Sequence, residues 1–321
     1  MNTFKNIFST TLLMTFILLS SAVKAEILFT HEGDSIAYDE TNNHYIITYA
    51  GLQGEINEVI WQPPTDINIE VESEFKVSDN GMIEYEYEFE VDKTSKLAFD
   101  SFYLYALAVD KISIESPEQW RVHVRDTYEV TDPTQRISWF TSKAAVQAGD
   151  EVDDFEFKST ALPVYTELYT NGKTDILSYI DYGPNVETQN YFNEEVLAKH
   201  INGKGFNTAI PLIPISTPFN AVETYTEFHQ SLLGYIEKGF IDASIAVSIK
   251  DVSVAVLTAL TANTVDESLS NLESLKKLID DESEHSDDIN TSQALILKEL
   301  REILVFNLEF IKKQLTGEYG D

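Results

Sequence analysis

The residues best placed to do chemistry are glutamates on one predicted hairpin. Ile67, Ile69, Val71, Phe75 and Val77 share one face of a first strand, and Ile83, Tyr85, Tyr87, Phe89 and Val91 share one face of a second; Asp79, Asn80 and Gly81 lie between. A three-residue loop with Gly81 in the left-handed position sets Val77 opposite Ile83, Phe75 opposite Tyr85, Val71 opposite Phe89 and Ile69 opposite Val91. On the other face the same register puts Glu74 against Glu86, Glu72 against Glu88 and Glu70 against Glu90, with Lys76 against Glu84 as the attractive pair. Like charges directly opposite destabilise a sheet by amounts comparable to the ~0.2–1 kcal/mol that favourable pairs contribute. One offset is a divalent cation or a cationic partner on this face, and Ca²⁺ is the cofactor that carboxylate oxygens suggest. The other is solvation and salt screening. A flat ladder of single oxygens falls short of the about six to eight that Ca²⁺ takes, which favours screening.

Other reactive patterns are thinner. Gly33, Asp34, Ser35 and Ile36 follow the apolar Ile27, Leu28 and Phe29, which resembles the nucleophile block of GDSL-type esterases. That family also needs Asp three residues before a His to orient the base, and none of the six histidines has one. Ser35 leads into Ile36, Ala37, Tyr38 and a turn at Asp39 to Asn43, so the segment reads as a hairpin. His31, His44, His123, His200, His229 and His285 show no HExxH and no pair three or four apart, and His123 between two valines reads as a sheet-surface residue. No GxGxxG or GxxxxGK[ST] loop occurs. Asp150, Glu151, Asp153 and Asp154 precede a strand and could chelate Ca²⁺ at a loop, but they lack the EF-hand order and its Gly, which favours a solvated loop. The acidic run from Asp280 to Asp288 reads as an exposed helix connection. The aromatics of Phe99 to Tyr105 would suit sugar or peptide binding if exposed, but Phe99, Ser101, Tyr103 and Tyr105 share one face and Phe102 and Leu104 the other, so the segment is expected to run through a core.

The elements that must carry these residues change period along the chain. Up to about Ser216 the period is two, with further strands expected at 27–30, 35–38, 45–49, 101–108, 112–115, 121–125, 137–140, 154–159 and 164–169. Short strands without helical crossovers imply an antiparallel β-sandwich over 26–216. Residues 194–200 form a short helix in this reading, and Pro211, Pro214 and Pro218 mark a linker. Beyond it the period is helical. Asn220 to Glu223 is a capping box, and Val222, Tyr225, Phe228, Leu232 and Ile236 follow until Gly239. A second helix stripes Ile241, Ile245, Ile249, Val252, Val256 and Leu260. A third opens at Thr264 to Glu267 and carries Leu269, Leu272, Leu275 and Ile279, and a fourth opens at Asn290 to Gln293 and carries Leu297, Leu300, Leu304, Leu308, Ile311 and Leu315. The fold class is therefore α+β in separate regions, a sandwich followed by a four-helix bundle at 219–321.

Gly239, Phe240 and Ile241, the run Ile245, Ala246, Val247 and Ser248, and the break at Ile289, Asn290 and Thr291 resemble the helical FIMAH-type domain of secreted bacterial proteins. The resemblance covers about a quarter of the chain and implies an accessory helical domain with no catalytic residue. Val and Ile stand where that family's second helix is usually alanine-rich. Gly149 and Asp150 before the strand at 154–159, with Ala161, Leu162 and Pro163 after it, resemble β-sandwich modules of uncharacterised secreted bacterial proteins, a likeness that brings no activity.

Composition bounds the rest. Of 321 residues, 54 are acidic and 22 are Lys or Arg, a formal charge of −32, which argues against nucleic acid and anionic membrane surfaces as partners. At 43 % apolar and 12 % aromatic residues the chain can still bury real cores. Lys5, the apolar Thr11 to Leu19, and Val23 with Ala25 have the order of a signal peptide cleaved after Ala25, which predicts a protein secreted or periplasmic, without membrane insertion. The absence of Cys excludes a lipoprotein anchor, a thiol nucleophile and a cysteine zinc site. The sequence thus points to a non-enzymatic binding or structural accessory protein for a protein or glycan ligand. The alternative is a secreted hydrolase using paired carboxylates, which would need a deep pocket holding both.

Overall fold

The computed structural model describes residues 25–51, 53–127, 133–174, 184–281 and 296–318. The signal segment up to residue 24, His285, most of the acidic run after Asp280, and the capping motif at Asn290 to Gln293 lie outside the described residues.

Alternation builds the first sheet. β1 (Glu26–His31), β2 (Asp34–Asp39), β3 (His44–Ala50) and β4 (Ile56–Trp61) form an antiparallel meander in that order. Glu32 and Gly33 join the first two strands with φ of 47° and 93°, the left-handed pair that a two-residue hairpin turn requires. Ile36, Tyr45, Ile47, Tyr49 and Trp61 point inward and are covered by Phe192 and Val196. Those two come from a helical stretch made of α1 (Val186–Tyr191), a π-helical turn (Phe192–Leu197) and α2 (Ala198–His200). This sheet therefore has its own core and stands beside the sandwich. The sequence pattern did not separate the two, because the residues that fill this core arrive far later in the chain.

The sandwich proper has two antiparallel sheets. One orders β5 (Ile69–Val77), β6 (Ile83–Val91), β11 (Glu151–Ser159) and β8 (Val109–Asp110); the other orders β13 (Lys204–Pro214), β12 (Ala161–Gly172), β7 (Phe99–Ala106), β10 (Gln135–Phe140) and β9 (Arg121–Asp126). Between them Phe102 stacks on Trp139 with centroids 4.8 Å apart, and Phe155 meets Phe102 and Trp120 edge-on at 4.9 Å each. Three expectations need correction. Residues 112–115 form no strand, and the short strand here is β8. An irregularity where Phe99 and Ser101 pair with Gly172 and Asn171 brings Phe99 into the core beside Phe102. Pro211 and Pro214 belong to β13, not to a linker: that strand is at the sheet edge and Pro211 faces Pro163 at a bulge, positions where a missing N–H costs little.

Four helices follow: α3 (Ala221–Glu237), α4 (Ala243–Thr261), α5 (Val265–Asp281) and α6 (Lys298–Thr316). Asn220 caps the first through the backbone N–H of Glu223, and Asp242 caps the second through that of Ser244. α6 starts later than its sequence signal, at Lys298, after Ile296 has bridged to Ile241. α4 is long and apolar enough to cross a membrane by length and composition; Ile245, Ile249, Val256 and Leu260 are buried against its neighbours, and Lys250 and Asp251 lie at its exposed middle. The helices share a continuous core with the sandwich. Asn307 of α6 donates to the Pro163 carbonyl (2.9 Å), the Tyr235 hydroxyl of α3 accepts from the Tyr165 N–H (2.7 Å), and Phe306 packs edge-on to Phe75 at 4.9 Å.

Candidate functional site on the acidic sheet face

The hairpin register is the one its sequence dictates. Glu70 pairs with Glu90, Glu72 with Glu88, Glu74 with Glu86 and Lys76 with Glu84, across a turn whose Gly81 has φ 79°. Because Ile69, Val71, Tyr85, Tyr87 and Phe89 are buried, the glutamates are forced outward. Pairing of β6 with β11 then adds a third acidic strand. Glu151 faces Glu90, Glu156 faces Glu86 and Lys158 faces Glu84, with a bulge between Val152 and Phe155 that carries Asp153 and Asp154. The acidic run read as a separate loop is thus part of the same face. Only long-range strand pairing reveals this, and no local pattern encodes it.

Charge is distributed unevenly over the face. Lys76 and Lys158 both bind Glu84, at 3.0 and 3.1 Å, and their hydrogen bonds hold its carboxyl below the ordinary glutamate value. Toward the other end the lysines run out. Desolvation, then the charges of Glu151, Glu72 and Asp153, raise the Glu88 carboxyl, and desolvation with Glu86 and Glu115 raises Glu156. Oxygens of Glu86, Asp154 and Glu156 all lie within 4.8 Å of one another. Asp154 reaches this position from a left-handed backbone, φ 64°. Three carboxylates can offer up to six oxygens, so this corner suits a hard divalent cation better than the flat ladder of Glu70, Glu72, Glu88 and Glu90.

The remaining candidates resolve into structural roles. Asp34 is buried, accepting from the N–H groups of Ala50 (3.3 Å) and Asn185 (2.8 Å), and Ser35 pairs with Thr48 on a strand, so the GDSL-like block is a hairpin that ties in α1. His123 is exposed and packs edge-on to Phe140. His200 sits between Tyr45 and Trp61, its Nε2 at 3.2 Å from the Tyr45 hydroxyl and its Nδ1 at 2.8 Å from that of Thr65. His229 Nδ1 lies 2.7 Å from the Ser253 hydroxyl, which also contacts the Tyr225 hydroxyl at 2.8 Å. This Ser–His pair, unsignalled in sequence, has a fully buried serine and clamps α3 to α4. A cleft of about 810 Å³ lies between the hairpin tip and α6. Its Glu309 is bound to Lys276, whose hydrogen bond holds that carboxyl below its usual value, so Glu309 is not the protonated acid that carboxylate hydrolysis needs.

No family model and no curated protein matches the chain. Among solved structures it is similar to a cohesin module from the Clostridium perfringens ATCC13124 family 33 glycoside hydrolase, at 9 % identity and a TM-score of 0.21, over 45 % of this chain and 97 % of that one.

Proposed function

We propose that this is an exported, non-enzymatic binding or structural accessory protein whose working surface is the acidic face of β5, β6 and β11, and that the face responds to divalent cations. The observation that carries the reading is the convergence of Glu86, Asp154 and Glu156 beside a ladder of opposed glutamates. A sheet that gathers like charges across three strands loses stability unless something neutralises them. Desolvation first and neighbouring carboxylates second raise the carboxyls of Glu88 and Glu156, and that second part fits the repulsion. Against the hydrolase alternative, the cleft of about 660 Å³ that Glu90, Glu118, Asp150 and Glu151 line beside this face is shallow and open to solvent.

The test is the melting temperature at fixed ionic strength with millimolar Ca²⁺ or with Na⁺ alone. Binding to the folded state raises stability by RT ln(1 + [L]/Kd), about 2.7 kcal/mol at a hundredfold excess over Kd. The rise should be lost in Asp154→Asn with Glu156→Gln. Glu72→Lys or Glu88→Lys should raise the melting temperature without Ca²⁺, by up to ~1 kcal/mol of stability. A lysine variant that melts higher while Ca²⁺ changes nothing would leave the ladder merely solvated and remove the cation from the reading.

A further inference from the structure

The chain has four arginines, and three of them stand on one face. β9 pairs with β10 so that Arg125 lies opposite Arg136, His123 opposite Ser138 and Arg121 opposite Phe140. β10 pairs with β7 so that Arg136 lies opposite Tyr105 and Ser138 opposite Tyr103. Ile137 and Trp139, which alternate with these residues, are buried between the sheets, so the arginines point the other way and are exposed. Arg136 lies flat over the Tyr103 ring, 3.7 Å from its centroid. Among the described residues no carboxylate lies within 4.0 Å of any of the three guanidinium groups. In a chain with 54 acidic side chains that isolation is unexpected, and Arg125 against Arg136 is a like-charge pair of the kind that weakens a sheet.

We propose that this arginine and tyrosine face docks onto the acidic face of a second copy of the chain. The proposal rests on the acidic face being a binding surface, as argued above, and names its partner. Charge complementarity supports it: each face repels itself and attracts the other, and guanidinium groups held on aromatic rings suit carboxylates in two-point contacts. Spacing supports it too. Arg121 and Arg125 are four residues apart on one strand, as are Glu86 and Glu90, about 13 Å in each case, and neighbouring strands in both sheets lie about 4.8 Å apart. The two faces are the outer surfaces of opposite sheets of one sandwich, so the contact is heterologous and does not close on itself. Copies stack back to front into open-ended assemblies. Ionic strength sets a window for this. At very low salt the −32 charge of each chain repels the other at long range, near 0.1 M the Debye length of about 10 Å screens that repulsion, and near 1 M the face-to-face contact is screened as well.

Sedimentation velocity of the purified protein across protein concentration at low, about 0.1 M and about 1 M salt tests this. Association that peaks at the intermediate salt is expected. Arg125→Gln with Arg136→Gln should abolish it, and so should Glu88→Lys with Glu90→Lys, which sets each lysine opposite a glutamate, Glu72 and Glu70; both pairs relieve like-charge repulsion, so neither should lower the melting temperature. Each variant keeps one working face, so their mixture should form a one-to-one dimer and stop there. A monomer at every salt, or association that the arginine variant leaves intact, overturns the proposal. So does binding of polygalacturonate to the arginine face of a protein that stays monomeric, which would identify an anionic glycan as the occupant. The two readings fail separately: a Ca²⁺ response without association rejects only the stacking, and association without a Ca²⁺ response rejects only the cation.

Discussion

Phe155→Ala is expected to lower stability by about 3–5 kcal/mol, and to lower the melting of the helices along with that of the sandwich. Phe155 is fully buried, with its ring edge-on to Phe89 at 5.6 Å, to Phe102 and Trp120 at 4.9 Å, and to Trp139 at 6.1 Å. Truncation removes the apolar area and several edge-to-face pairs, and the rigid rings around it cannot collapse into the space. The helices should follow because they complete the same core. Without α6 the Pro163 carbonyl loses Asn307 and Phe75 loses Phe306; without the strands the Tyr235 hydroxyl loses the Tyr165 N–H. Helical circular dichroism and the fluorescence of Trp120 and Trp139 should therefore share one midpoint, in the parent and in the variant. Leu304→Ala, placed in the helical part of that core, should shift both signals together from the other side. A helical midpoint unmoved by Phe155→Ala would mean that the shared contacts are too weak to couple the two regions.

What the sequence made legible was local. The hairpin of β5 and β6 could be registered residue by residue because alternation and the turn at Asp79 to Gly81 agree over a short separation. The helix cap at Asn220 was readable for the same reason, whereas the Thr264 hydroxyl donates to the Glu267 carboxylate and to the Ala259 carbonyl. Contacts between distant segments were not. The third acidic strand depends on β11 finding β6 from some sixty residues away, and its bulge shifts Asp154 toward Glu86 and Glu156. Prolines in β13 imitated a linker because an edge strand tolerates what a central strand does not. The arginine face required a register between β9 and β10 and the knowledge that Trp139 faces inward. Each of the three arginines taken alone is an ordinary strand residue. The candidate site was therefore half visible: the ladder of Glu70, Glu72, Glu74, Glu86, Glu88 and Glu90 follows from local alternation, while nothing local connects to it Asp154 and Glu156, which give it a converging corner.

Acidification from about pH 7.5 to about pH 5.5 is expected to destabilise the protein through two histidines, and replacing both should flatten the response. Burial lowers the pKa of His200 and of His229, with Lys199 and Lys250 respectively adding to the effect. Both rings are held by neutral partners, Thr65 and Tyr45 in one case and Ser253 in the other, so neither finds an anion that would welcome a proton. In the unfolded chain each takes a proton near pH 6.5, whereas in the folded chain each resists until lower pH. The unfolded state then binds more protons, and stability falls as pH drops through about 6.5 toward the folded values. Solvent reaches both rings in part, so the loss should be a fraction of the ~1.4 kcal/mol per pH unit of a fully excluded proton. The carboxyls of Glu88, Glu156 and Glu299 are raised and act in the opposite sense, because the folded state takes their protons first; the lowered carboxyls of Glu84 and Glu309 oppose them, so stability returns only in part as pH falls toward about 4.5. Melting temperature against pH should therefore dip and partly recover. His200→Gln with His229→Gln keeps polar side chains at both sites and should remove the dip while leaving the recovery. If the dip survives in that double variant, the acid sensitivity lies elsewhere. If the recovery is undiminished in Glu88→Gln with Glu156→Gln, it comes from Glu299 and Asp100, whose carboxyls burial also raises, and not from the acidic face. The two arms can be separated because the histidines bind the cores of the first sheet and the helices, whereas the glutamates stand on the open face of the sandwich.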